Sequence, residues 1–447
     1  MSAYSVPDTR LEAKLGDKKP AYTRAEAIAE ANRCIYCVDA PCVKACPTSI
    51  DIPTFIHKIR TDNVKGAART ILSANLLGYS CARVCPVEVL CAGDCVYNEW
   101  ERPAIQIGRL QRYATEVAMQ AEPDLVARTK KAPTGRKIAC IGAGPASLAC
   151  AGHLALEGHS VTLFEKKTVP GGLNTLGIAP YKLQATDALK EIAFIQGLGD
   201  VQIKTGVGVV CNHAKDDEVD AVSLLEDFDA VFIGIGLGPD NFMGIEGENG
   251  PGVVGATYYI ERLKSHPDLT LDGIKNVVVV GGGNTAIDIA RQLALLGVDN
   301  VSMLYRGEAA KMPGYGHEMD GARRETVRLV ENRQPTKIVR AEDGSLIGVE
   351  VAVMKDKKPV PGQTEVIEAD LVAMAIGQSR LTDLAAAFDG VDLDDRGRVL
   401  VDEATCRTGH AQVYAGGDCV NGGKEVVNAA EHGKRAARAM HAAFAEG

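Results

Sequence analysis

The chain has 447 residues, 46% hydrophobic and 24% charged, with Lys+Arg 49 against Asp+Glu 58 for a net charge of −9. At about 150 residues per domain this gives roughly three domains with substantial cores, and it excludes wholesale disorder, collagen and coiled-coil architectures. The mildly acidic balance argues against a nucleic-acid or membrane partner, MSAYSVPDTR lacks a signal-peptide layout, and no run reaches membrane-spanning length, so a cytoplasmic protein is expected.

Thr23-Arg24-Ala25-Glu26 fits a capping box, in which Thr and Glu satisfy each other's free amides, and predicts a helix through AEAIAEANR that delivers the chain to Cys34. Further helical stretches are predicted from Pro53 to Leu77 and from Gly108 to Ala121. Between these elements lies most of the cysteine. Of 13 cysteines, eight fall between Cys34 and Cys95, as Cys34-x2-Cys37-x4-Cys42-x3-Cys46-Pro47 and Cys81-x3-Cys85-Pro86, then Cys91-x3-Cys95. In a reducing compartment such a cluster points to metal rather than disulfides. The short gaps let several thiolates converge on one cubane, and the Cys-Pro steps resemble bacterial ferredoxin motifs, in which the last cysteine of a run binds the other cluster. By that logic Cys46 crosses over to the second site. Zinc and buried structural thiols are the alternatives; zinc favours paired spacings with a long gap between pairs, and only part of the pattern complies. Two iron–sulfur clusters are expected.

The segment EPDLVARTKKAPTGRK has the charge and proline of a linker, and at Lys137 the pattern becomes βαβ. Gly142-Ala-Gly144-Pro145-Ala146-Ser147 follows a strand and opens a helix, as a dinucleotide fingerprint requires. Gly142 permits the tight turn and Gly144 lets the backbone approach a pyrophosphate at the helix start. Ser147 replaces the third glycine, and Glu165 ends the next strand, where a carboxylate holds ribose hydroxyls. Near the C-terminus Tyr414-Ala-Gly416-Gly417-Asp418 resembles the flavin motif of flavoproteins with two dinucleotide domains, with a helix from about Val426 pointing at the flavin. Together these imply FAD. A second unit runs from NVVVVGGG to NVSMLYR, with the fingerprint Gly281-Gly-Gly283-Asn284-Thr285-Ala286. Its second strand ends in Tyr305-Arg306 rather than an acid, which suits the 2′-phosphate of NADPH over NADH, with Lys311 able to assist. DAVFIGIG and DLVAMAIG are predicted as returning strands. The expected fold is α/β: a helical two-cluster domain over 1–130, an FAD domain over 134–250 and 379–447, and an NAD(P) domain over 251–378 inserted in it.

In this order the parts resemble the family of the glutamate synthase small subunit and dihydropyrimidine dehydrogenase. The carriers are the cysteine head, GAGPAS, the stretch from FEK to Gly171-Gly172-Leu173, GGGNTAID and YAGGD. The head, with DAPC, CPTSIDIPTFI, CARVCPVEVLCAGDC and IGRLQ, is closer to the pyrimidine branch. One stretch departs from the family: Gly-Ile-Pro-x-Tyr/Phe-Arg stands here as GIAPYK, with Ala179 before Pro180 and Lys182 for arginine. The resemblance implies one cluster on Cys34, Cys37, Cys42 and Cys95. The other would sit on Cys46, Cys85, Cys91 and Gln111, leaving Cys81 free, whereas spacing alone uses all eight cysteines. It also implies an electron-input subunit for NAD(P)H with no catalytic residue of its own. The partner would carry FMN and further clusters and reduce uracil or thymine. A glutamate synthase large subunit, or a general electron-transfer role, are the other expectations.

Overall fold

The computed structural model describes residues 4–121, 125, 130–211 and 215–446, so most of the predicted linker lies outside the described residues. The capping box is formed. Thr23 Oγ1 accepts from Glu26 N, and the Glu26 carboxylate accepts from Thr23 N, at the start of α1 (Arg24–Ala31). After the short α2 (Pro41–Lys44), the single helix expected over Pro53–Leu77 proves to be two, α3 (Ile52–Arg60) and α4 (Val64–Ala74). The break is local chemistry: Asp62 takes a left-handed φ of 60° and Asn63 caps α4 by accepting from Gly66 N at 2.9 Å. With α5 (Gly78–Val84) and α6 (Ile107–Ala121) these helices bury Ala31, Phe55, Ile59, Ile71 and Leu110 in one core. Each large side chain so buried is worth about 1.5–3 kcal/mol.

Next come β1 (Lys137–Ile141), α7 (Pro145–Leu156), β2 (Ser160–Glu165), α8 (Gly172–Leu176), α9 (Ala185–Gly197) and β3 (Val201–Thr205). A small pair, β4 (Gly208–Val210) and β5 (Glu218–Asp220), and α10 (Leu224–Asp227) precede the returning β6 (Ala230–Ile233). A second unit follows as β7 (Val253–Gly255), α11 (Ala256–Ser265), β8 (Asn276–Val280), α12 (Asn284–Leu295), β9 (Asn300–Tyr305), α13 (Gly316–Arg324) and β10 (Arg328–Glu331). It continues through β11 (Arg333–Arg340), β12 (Leu346–Lys355) and β13 (Lys358–Glu368) to β14 (Leu371–Met374). The chain ends with α14 (Thr382–Ala386), β15 (Val413–Ala415), α15 (Asp418–Asn421) and α16 (Val426–Glu446).

Two parallel five-stranded sheets result, ordered β15-β6-β1-β2-β3 and β10-β9-β8-β14-β7. Because β15 pairs with β6, the chain leaves the first sheet, builds the second and returns. Strands β1 (KIACI), β6 (AVFI) and β8 (NVVVV) read as nearly continuous apolar segments because helices cover both faces of such sheets. Strands β11-β12-β13 form a separate antiparallel sheet.

Four buried charges join the modules. Glu12, in the N-terminal strap, accepts from Ala185 N at 2.7 Å and pairs with Lys264 of α11 at 3.5 Å. Lys264 Nζ also donates to the carbonyls of Ile178 and Leu183, so this fully buried pair is saturated with partners, which its burial demands. Glu191 of α9 accepts from Tyr79 N at 2.9 Å and Ser80 N at 3.1 Å at the start of α5, where a carboxylate complements the helix dipole. Lys434 of α16 donates to Thr48 O at 3.0 Å and Ala74 O at 3.2 Å in the head.

Candidate functional site

The first fingerprint folds as its glycines require. Gly142 has φ +85°, and a Cβ there would meet Gly234 O at 2.8 Å. Gly144 caps α7, with Pro145 in its first turn and Ala146 and Ser147 buried against the sheet. Three distant segments then converge: a Cβ on Gly172 would lie 3.1 Å from Gly144 Cα, and one on Gly417 3.1 Å from Ala146 Cβ. Such close approaches leave space only for backbone, the requirement of a cradle for a pyrophosphate. Leu173, beside Gly172, is exposed at its rim.

Glu165 is buried, with Oε2 accepting from Ala143 N and Oε1 from Lys167 N, each at 2.9 Å. These bonds fix the carboxylate, and each oxygen keeps a lone pair for a further donor. Asp418 accepts from Lys424 N at 3.2 Å, and burial raises its pKa above the usual carboxylate range. Five buried polar atoms near these segments have no partner among the described residues: Ser147 Oγ, Asn174 Oδ1, Thr175 Oγ1, Arg380 Nη1 and Asn421 Nδ2. Buried polar groups are ordinarily bonded, so this cluster fits a polar group lodged in the cradle. Sequence reasoning missed Asn174, Thr175, Arg380 and Asn421; the nearest signal was their position beside the Gly172 and Asp418 motifs.

The second fingerprint is built alike. Gly281 has φ +146° and its Cβ would meet Ala375 O at 2.3 Å, while Gly283 caps α12 with open space before it. Thr285 follows in the first turn of α12, and Asn284 Oδ1 accepts from Tyr315 N at 2.9 Å. Tyr315 OH in turn donates to Glu425 at 2.8 Å, tying the two nucleotide sites together. Arg306 is exposed after β9 and has no acidic partner among the described residues. Lys311, offered above as its assistant, is instead paired with Glu308 at 2.9 Å. At the departure in GIAPYK, Lys182 pairs with Asp288 of α12 at 2.7 Å and Glu318 of α13 at 3.1 Å, and Tyr181 OH donates to Asp288. The lysine thus bridges the two units.

In the head, Cys34, Cys37, Cys42 and Cys95 line one cavity of about 30 Å3 with Ile52, Pro53 and Ile105. Burial and the neighbouring thiols push Cys42 up to about 12. Cys46 and Cys91 are electrostatic neighbours, and burial, then Cys46, pushes the Cys91 thiol up to about 12. Cys85 is raised by its hydrogen bond to Cys81 and by burial. Cys81 accepts from Asn75 Nδ2 at 3.3 Å. Gln111, buried on α6, donates through Nε2 to Gly78 O at 2.7 Å. Thiols so raised need a positive centre to ionise, and a metal supplies one. Among the described residues no three His, Cys, Asp or Glu side chains close on a single ion, whereas zinc holds its sulfurs about 2.3 Å from one centre. Four thiols around one hollow are the donor set that a 4Fe–4S cubane takes. Of the remaining cysteines, Cys140, Cys150, Cys406 and Cys419 are buried, as packing residues are.

Comparison with known proteins agrees with this geometry. Residues 136–433 match the pyridine nucleotide-disulphide oxidoreductase family, and residues 12–123 match dihydropyrimidine dehydrogenase domain II, 4Fe–4S cluster. The chain belongs to the pyridine nucleotide-disulphide oxidoreductase family, in its form with an N-terminal iron–sulfur domain. The glutamate synthase (NADPH) small chain of Escherichia coli K12 is 32% identical over 93% of this chain and 91% of its own. The NAD-dependent dihydropyrimidine dehydrogenase subunit PreT of the same organism is 33% identical over 96% of both. Thioredoxin reductase of T. acidophilum shares the fold with a TM-score of 0.55 and 24% identity, covering 69% of this chain and 99% of that one. The chain is therefore an NAD(P)H-dependent oxidoreductase whose cofactors are FAD and 4Fe–4S clusters. No described helix is long and apolar enough to cross a membrane.

Proposed function

We propose that this chain is the electron-input subunit of a dihydropyrimidine dehydrogenase, taking electrons from NAD(P)H and passing them to a partner chain that reduces uracil or thymine to the 5,6-dihydro form. When bound, the nicotinamide supplies a hydride to the flavin and the clusters carry electrons onward singly. The chain's own residues position these groups. Gly142, Gly144, Pro145, Ala146, Ser147, Glu165, Gly172, Leu173, Gly417 and Asp418 hold FAD, and Gly281, Gly283, Asn284, Thr285 and Arg306 hold the nicotinamide nucleotide. Cys34, Cys37, Cys42 and Cys95 hold one cluster, and Cys46, Cys85, Cys91 and Gln111 the other. The observation that carries this reading is the quartet around one cavity, with Cys81 outside it and bonded to Asn75. Gln111 is buried on α6 with its side-chain nitrogen anchored to Gly78 O, which supports its place as a ligand.

The partner would carry FMN and clusters of its own. Anaerobic pull-down from the native cell, followed by uracil-dependent oxidation of NAD(P)H by the recovered complex, tests the reading; a complex inert to uracil overturns it. Because the glutamate synthase small chain is as similar as PreT, the second reading is an input subunit for that enzyme. Recovery of a glutamine-hydrolysing partner would establish it. Cys81→Ser should leave about eight iron atoms per chain, and a loss of about half would remove Gln111 from the ligand set.

A further inference from the structure

A second cavity, of about 190 Å3, lies where the N-terminal strap, the start of α6 and the end of α5 face α13 and Tyr181–Lys182. A single ordered water needs only about 10–15 Å3 of such space, so this hollow accommodates something larger. Six of its lining side chains are Lys or Arg and three are acidic. The acids are already engaged: Asp17 by Arg112 at 2.5 Å and Arg83 at 3.2 Å, Glu318 by Lys182 at 3.1 Å, and Glu88 by Lys19 at 3.4 Å. Lys18 and Arg324, both exposed at the cavity, have no acidic partner among the described residues. Arg83 is 5% exposed, and its Nε proton is buried without an acceptor. A buried donor left unpaired costs free energy that a ligand oxygen would recover. Guanidinium groups suit doubly charged oxyanions, and unpaired cations around a partly enclosed hollow raise the local anion concentration.

We propose that this cavity is a binding site for a small polyanion, a phosphoryl or multi-carboxylate group held by Lys18, Arg324 and Arg83 Nε. Its lining includes no residue of either glycine fingerprint and draws on the segment before α1, the cysteine head, Tyr181–Lys182 and α13. Occupancy therefore braces the second unit against the head, with Cys85 at its wall.

The test is isothermal titration of the holoprotein at low ionic strength with inorganic phosphate and, separately, citrate. Excess oxidised nicotinamide nucleotide fills the other phosphate site. Saturable binding, weakened at least tenfold in a Lys18→Ala/Arg324→Ala variant, is expected; the tighter anion identifies the source. These two side chains are exposed, so the variant keeps its fold, which the unchanged flavin spectrum verifies. Arg83→Lys, which removes the Nε donor while keeping the charge, should weaken binding as well. Absence of saturable binding by either anion, or equal affinity in the double variant, overturns the proposal.

Discussion

β2 ends in Glu165, buried, with its two oxygens accepting from the amides of Ala143 and Lys167; β9 is followed at once by Arg306, exposed and unpaired among the described residues. The backbones before these residues are near copies, each with a positive-φ glycine pressed against the carbonyl of a neighbouring strand. The first site is also fused to the head through Glu191 and Lys434, while the second meets its surroundings through salt bridges such as Lys182–Asp288. One plan thus yields a buried acid at one strand end and an exposed cation at the other. Burial and a fixed acid suit a cofactor that stays; an open rim and an exposed cation suit one that comes and goes.

The sharpest way to break this comparison is to fill each turn glycine. Gly142→Ala should weaken FAD at least ~100-fold, about 2.8 kcal/mol, whereas Gly281→Ala should keep FAD and lose nicotinamide nucleotide to a similar degree. Flavin absorbance after gel filtration and nucleotide titration separate the outcomes. Loss of FAD in both variants would show that the sites do not act independently.

The fusion of the first site to the head has a pH signature. Burial pushes the Glu191 carboxyl up to about 7, against the pull of its Ser80 and Tyr79 bonds. With the folded pKa above the unfolded one, its stabilisation is complete below about pH 4.5 and is lost as pH rises through about 7, a span of up to ~3 kcal/mol. Glu191→Gln should therefore gain on the parent between pH 5 and pH 8 in thermal unfolding, and parallel curves would refute the shift.

Smaller effects separate the two strand ends. Glu165→Ala removes an acceptor from two buried amides and should weaken FAD by about 1–3 kcal/mol while leaving the nicotinamide site intact. Arg306→Ala should lower kcat/KM for NADPH about tenfold, roughly 1.4 kcal/mol, and that for NADH hardly at all; equal losses would deny it the 2′-phosphate.

What could be read in the sequence was local. The capping box at Thr23, both fingerprints and the strand–turn–helix around Asp418 are set by residues within a few positions of one another, and each formed. The break at Asp62 and Asn63 was also local but was overridden by apolar periodicity running through it. Strand β13 escaped because it lies at a sheet edge, almost wholly exposed, with Pro359 and Pro361 and little apolar alternation. Glu191, Glu12, Lys434 and the Tyr315–Glu425 bond join positions 110 to 386 residues apart along the chain, so no window of sequence displays them.

The reach of Lys434 to Thr48 and Ala74 has a consequence for biogenesis. Ribosomes deliver the cysteine head before the two nucleotide units, and domains generally fold in order of synthesis. Here the cysteine head is completed by a lysine 360 to 386 residues farther along the chain, and β15 closes the first sheet only shortly before it. Final docking of the head thus awaits emergence of α16, and iron delivered earlier meets a head that still lacks this buttress.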